Sequence, residues 1–174
     1  MTRGDIHKLL SNGKFPETTV QTVLVETHIS WVILCDQFVY KIKKPIMYSF
    51  LDFSTLEKRR FFCERELELN RRFSKNIYLE VLPIYERDGY YEIGGQAGEA
   101  MDYTLKMRKL DSERQMDVLL SKNKVDESDI TILAERIAEF HKNTNSIHEK
   151  NVLDIREKFN DLDLVIEFLY HHFD

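Results

Sequence analysis

Lys41, Lys43 and Glu66 are the residues of this chain whose types and spacing could do chemistry. The two lysines sit in the run Phe38-Val39-Tyr40-Lys41-Ile42-Lys43-Lys44, which reads as a strand stopped by Pro45. Strand alternation puts Lys41 and Lys43 on one face and Tyr40, Ile42 and Lys44 on the other. An ammonium held there could bridge the α- and β-phosphates of ATP, provided a carboxylate fixes its long, entropically costly stem. Glu66 suits that role. It falls on the helical stripe Leu56, Phe62, Glu66, Leu69 and Phe73, where an unpaired carboxylate would be costly and a cationic partner is required. Glu64 and Glu68 point elsewhere on the helix and read as solvated. The plainer alternative is a basic edge strand, whose lysines discourage aggregation, beside an ordinary charged helix. Pattern alone leaves both open.

The elements that must position these groups follow from periodicity and turn residues. Thr2 to Leu10 is a short helix ended by Asn12-Gly13. Val20 to Val25, Trp31 to Cys35 and Phe38 to Lys43 read as strands joined by the turns Glu26 to Ser30 and Asp36-Gln37, an antiparallel meander. Pro45 to Asp52 is a loop. Ser54-Thr55-Leu56-Glu57 fits a capping box with the Ser54 hydroxyl as cap, and the helix runs to about Phe73. Leu79 to Glu86, Tyr90 to Ile93 and Ala100 to Lys109 are three further strands, with Asp88-Gly89 a hairpin signal. The last alternates Tyr103, Leu105 and Met107 against Thr104, Lys106 and Arg108. From Asp111 the pattern turns helical: Asp111-Ser112 through Leu120, Glu127 to His141, and about Leu153 to Tyr170. Strands first and helices after predict an α+β fold of five to six antiparallel strands and one packed helix, with the core between about Gln21 and Leu110. The predicted division is residues 1–110 and residues 111–174.

Composition narrows the functional classes. The chain has 174 residues, 43% hydrophobic and 32% charged, the make-up of a soluble globular protein. A net charge of -5 argues against general nucleic-acid binding, which needs clustered positive charge. The first residues lack a long apolar run and no run reaches the length that spans a bilayer, so the expectation is a cytoplasmic protein without a signal peptide or membrane partner. Cys35 and Cys63 read as buried free thiols. No metal site is expected: His141 and His148 lack a third ligand, and His171-His172 read as surface residues.

The strings VETHISWVILC, VYKIKKP, FLDFSTLEKRRFFCERELELNRR and YLEVLPI resemble the N-terminal region of a bacterial family related to aminoglycoside phosphotransferases. YTLKMRKL and LAERIAEFH are looser matches, and together these cover most of the chain. The resemblance implies a protein-kinase-like N-lobe followed by helices of a partial C-lobe. It implies that Lys41 is the nucleotide lysine, Glu66 its helix partner and Lys43 its backup. Met107, Arg108 and Lys109, continuing to Leu110, would form the hinge whose backbone hydrogen-bonds adenine. The turn Glu26 to Ser30 takes the place of a phosphate-covering loop but contains no glycine, so Thr27, His28 and Ser30 are the candidate side-chain donors, with His28 equally readable as an ordinary loop histidine.

The family's catalytic loop resembles His-Gly-Asp-x-His-x-x-Asn, and nothing of that form occurs. Asp161-Leu162-Asp163 lacks the flanking residues and reads as a helix start. No catalytic residue is therefore assigned to this chain. The expected function is the nucleotide-binding part of an ATP-dependent small-molecule phosphotransferase. Magnesium and the small-molecule acceptor would be held only with the missing C-lobe, and the chain alone would be inactive. The alternatives are a non-catalytic regulatory or binding module, and an assembly domain. In the latter, Leu164, Ile166, Phe168, Leu169 and Phe173 would form a homodimer through the C-terminal helices.

Overall fold

A computed structural model describes residues 1–95 and 98–145, together with Ile166 and Tyr170. The helix expected at Leu153 to Tyr170 lies, apart from those two positions, outside the described residues. So do His148, Asp161, Asp163, His171, His172 and most of the apolar set expected to form a homodimer. The fold is α+β, and the chain divides into two compact units. One comprises Met1–Met47 and Phe53–Asp126; the other holds Tyr48–Asp52 and the chain from Glu127 onward.

The first unit is built on a six-stranded antiparallel sheet. Its strands are β1 (Val23–Glu26), β2 (Ser30–Leu34), β3 (Phe38–Lys43), β6 (Tyr78–Arg87), β7 (Tyr90–Ile93) and β8 (Asp102–Arg108). They lie in the order β1-β2-β3-β8-β6-β7, so the last of these six strands in sequence sits between β3 and β6. Register follows the expected alternation: Tyr40 faces Lys106 and Lys41 faces Leu105 across the β3–β8 pair. β1 begins later than the sequence indicates, because the amides of Val20 and Gln21 donate to the Asp36 carboxylate at 2.7 and 3.3 Å rather than to a strand. The β6–β7 hairpin turns through Asp88 (φ 48°) and Gly89 (φ 82°), the left-handed pair that a tight two-residue turn requires.

One face of the sheet carries the apolar core. Trp31, Ile33, Tyr40, Ile42, Ile84, Tyr91 and Ile93 pack with Ile6 and Leu9 of helix α1 (Arg3–Asn12). The core thus extends to the N-terminal helix, beyond the Gln21 to Leu110 span expected from the strands. Helix α1 starts on a capping box: the Thr2 hydroxyl accepts from the Asp5 amide, and the Asp5 carboxylate accepts from the Thr2 amide.

Helix α2 (Leu56–Arg71) packs against β8 and β6. Its cap is Thr55, whose hydroxyl accepts from the Lys58 amide at 3.3 Å, and not Ser54. Its inward face also differs from the apolar stripe. Arg59 and Cys63 are buried and Glu66 half-buried, whereas Leu69 and Phe73 are exposed. The helix expected from Asp111 is broken. A 3-10 turn spans Ser112–Arg114, Gln115 is extended, and α3 covers Met116–Ser121.

The stretch Pro45 to Asp52, expected as a loop, carries a two-stranded ladder of β4 (Met47–Tyr48) and β5 (Leu51–Asp52), too short to leave a periodic signal. The rings of Tyr48 and Phe50 stack at 5.7 Å. In the second unit, helix α4 spans Glu127–Lys142 and leaves Ile130, Leu133 and Ile137 exposed. Among the described residues, no helix is long and apolar enough to cross a membrane.

Candidate functional site

On the sheet face away from the apolar core, β3 presents both lysines and α2 presents the carboxylate between them. Lys41 Nζ donates to Glu66 Oε1 at 2.7 Å and Lys43 Nζ to Glu66 Oε2 at 2.7 Å. Each carboxylate oxygen thus has its own ammonium. The structure brings together the three residues that strand alternation and the helix pattern single out. They are not equivalent: the Lys43 side chain is 6% exposed and the Lys41 side chain 27%. The Lys43 ammonium also lies 4.8 Å from the centre of the buried Phe53 ring, a cation–π contact. Burial pushes the Glu66 carboxyl up, but the hydrogen bonds and charges of Lys41 and Lys43 outweigh it and hold the group below its ordinary value. It stays a carboxylate at neutral pH.

Along the same face lies an open cleft of about 660 Å³, lined by residues that include Leu34, Val39, Met107 and Leu110. Val39 precedes Lys41 by two residues, so their side chains share a sheet face, although neither Lys41 nor Glu66 lines the cleft itself. Met107 is fixed by pairing with Val39 on one side and Tyr78 on the other. The Arg108 amide donates to the Ile77 carbonyl at 2.8 Å and the Lys109 amide to the Gln37 carbonyl at 2.8 Å. The Lys109 ammonium caps the Cys35 carbonyl at 2.9 Å. Among the described residues the Leu110 amide has no acceptor. It is the donor of the 107–110 edge still open to a ligand.

The β1–β2 turn is closed by hydrogen bonds without a glycine. The Thr27 hydroxyl accepts from the Ser30 amide at 3.0 Å and donates to the Ser30 carbonyl at 3.0 Å. From outside, the Lys44 ammonium binds the Thr27 carbonyl at 2.6 Å and Glu26 at 2.7 Å. The Thr27 side chain is therefore committed within the turn, while His28 is exposed at its tip. Ser30 is fully buried, sits opposite Lys43 in register, and its hydroxyl has no partner.

No family model matches the chain, and no solved structure matches it. Similar sequences occur in mycobacteria. Uncharacterized proteins of Mycobacterium tuberculosis (Rv2004c) and Mycobacterium bovis (Mb2027c) are 32% identical over 116 residues, which is 67% of this chain and 22% of each relative. The chain thus matches only a fraction of the length of these relatives.

Sequence reasoning missed a second ionic cluster, which ties the start of α2 to β8. Asp102 is fully buried at the start of β8. It accepts the Met1 ammonium at 2.7 Å, Arg59 Nε at 2.8 Å and the Tyr103 amide at 2.9 Å. Arg59 also donates to the carbonyls of Phe53 and Ser54 at 3.2 and 3.3 Å, closing the entry to α2. One signal was available: Arg59 stands four residues before Cys63 and seven before Glu66, on the same helical face. On the opposite face of the sheet, Glu17 accepts from the Tyr40 hydroxyl and from the buried Lys106. Among the described residues, no group of three or more His, Cys, Asp or Glu could hold a metal ion. Cys35 and Cys63 are buried free thiols.

Proposed function

We propose that the first unit is the nucleotide-binding, kinase-like N-lobe of a phosphotransferase related to the aminoglycoside phosphotransferases, with ATP as its ligand. The observation that carries this reading is the 2.7 Å Lys41–Glu66 pair, which joins strand β3 to helix α2 on the sheet face that also carries the cleft residues Val39 and Met107. The residues fit the ligand. Lys41 is the more exposed of the two lysines and could reach a phosphate, and Glu66 orients it before a ligand arrives. The apolar side chains of Leu34, Val39 and Met107 suit a base, and the Leu110 amide offers one hydrogen bond at the cleft edge. The described residues offer no magnesium cluster, so no step on this chain is assigned to the metal. The chain's part is to bind and orient the nucleotide. A small-molecule acceptor and the catalytic loop belong to the complete enzyme.

Calorimetric titration with ATP tests the reading. Replacing Lys41 by methionine removes one hydrogen bond to a charged group, about 1.5–3 kcal/mol, which corresponds to an affinity loss of about 10–150-fold. Thermal stability should change little, because Glu66 keeps Lys43. Equal ATP affinity in the Lys41→Met variant, or no ATP binding by the wild-type chain, would refute the reading. A non-catalytic module of the same fold is the second reading. It is favoured by the glycine-free turn with its committed Thr27 hydroxyl, and it predicts a folded chain that does not bind ATP.

A further inference from the structure

We infer that Lys43 is a positioning residue, the resident counter-ion of Glu66, which leaves Lys41 free to exchange the carboxylate for a ligand phosphate without releasing α2 from the sheet. The second half rests on the nucleotide reading; the first does not. In a single-lysine arrangement, a phosphate that drew the ammonium away would leave a half-buried carboxylate without a counter-charge, which is unfavourable. Here Glu66 Oε2 keeps its own donor at 2.7 Å. That donor is ill placed for a ligand. Its side chain is 6% exposed, against 27% for Lys41, and it lies over the Phe53 ring, which is 2% exposed.

The rest of the setting favours a fixed carboxylate. Cys63 lies one turn earlier on α2, fully buried and with its thiol pushed up to about 12 by burial, so it brings no competing charge. Ser30, directly opposite Lys43, presents a buried hydroxyl with no partner rather than a second anion. At the entry of the helix, Arg59 binds Asp102 at 2.8 Å. The helix is thus anchored at its first turns through Arg59 and again at Glu66 through Lys43, two contacts that would persist if Lys41 turned to a ligand.

The two lysines can be told apart directly in the wild-type chain by their ammonium nitrogen signals. Hydrogen exchange at Lys43 should be slower than at Lys41. On adding ATP, the Lys41 signal should move and the Lys43 signal should stay. In variants, Lys43→Met should weaken ATP binding about tenfold, because Lys41 then becomes the sole partner of Glu66 and is held back from the ligand. Lys43→Arg, which restores a cation, should recover most of that loss. Faster exchange at Lys43 than at Lys41 would overturn the inference. So would an ATP-induced shift at Lys43 but not Lys41, or wild-type ATP affinity in folded Lys43→Met. Should Lys43→Met fail to fold, the wild-type spectra and Lys43→Arg still carry the test. Absence of ATP binding by the wild-type chain would defeat the nucleotide reading while the exchange order continued to test the counter-ion role.

Discussion

Replacing Asp102 by asparagine preserves the side chain's shape and removes its charge. The wild-type carboxylate receives three donors: the Met1 ammonium at 2.7 Å, Arg59 Nε at 2.8 Å and the Tyr103 amide at 2.9 Å. The Asp102 side chain is 0% exposed and that of Arg59 7%. An asparagine oxygen could keep Arg59 and Tyr103, but its amide hydrogens would then face the Met1 ammonium, donor against donor. Breaking a buried pair in this way costs about 3–5 kcal/mol, because cations are left without a counter-charge. Domains of this kind are stable by ~5–15 kcal/mol, so the loss is a large share of the whole. With a urea dependence of ~2 kcal/mol per molar, the unfolding midpoint should fall by ~1.5–2.5 M. Urea unfolding followed by circular dichroism measures this, with Arg65→Ala as control. Arg65 and Glu68 also lie 2.7 Å apart, but with side chains 50% and 66% exposed, and removing Arg65 should cost under ~0.5 M. A midpoint for Asp102→Asn within ~0.5 M of wild type would show that the cluster carries no net stability and refute the reasoning.

Two further outcomes follow from the titrating groups. The Glu66 carboxyl sits below its ordinary value in the folded chain, so its contribution to stability is present above the unfolded value near 4.5 and is lost as pH falls through the folded one. Glu66→Gln should therefore flatten the acid limb of a stability–pH curve relative to wild type, and an unchanged limb would contradict the ion-pair assignment. The Cys63 thiol is fully buried and pushed up to about 12, and Cys35 is raised as well, chiefly by burial. Both should resist a thiol reagent at pH 8 until denaturant is added; fast native labelling of Cys63 would show that the packing around α2 opens, and of Cys35 that the core beneath α1 does.

The lysine strand was legible because a period of two is strict. Once Phe38 to Lys43 is a strand, Lys41 and Lys43 must share a face, and one glutamate on the facing helix can serve both. Glu66 announced itself as the polar residue on a stripe drawn from apolar ones. The true inward face of α2 was harder to read, because its buried members include Arg59, a residue type almost always on the surface unless paired. Its partner Asp102 lies 43 residues away, and no local rule connects them. Leu69 and Phe73 were misleading for the converse reason: an apolar residue near a helix end can remain exposed. The cap fell one residue later than expected because Ser54 and Thr55 offer the same chemistry side by side, and only the backbone path selects between them. The Leu110 amide as the open donor of the cleft edge emerged only when the partners of Arg108 and Lys109 were known.

The placement of β8 between β3 and β6 has a consequence for how the protein is made. During synthesis the meander of β1 to β3 leaves the ribosome early, with one flank of β3 unsatisfied until residues 102 to 108 emerge. Lys41 waits for its neighbour Leu105, and Arg59 waits for the carboxylate of Asp102. Such late, distant pairing slows folding and prolongs the time a sticky strand flank is bare. A nascent chain arrested just before Asp102 should therefore remain protease-sensitive, and extension past Arg108 should convert it abruptly to a resistant form.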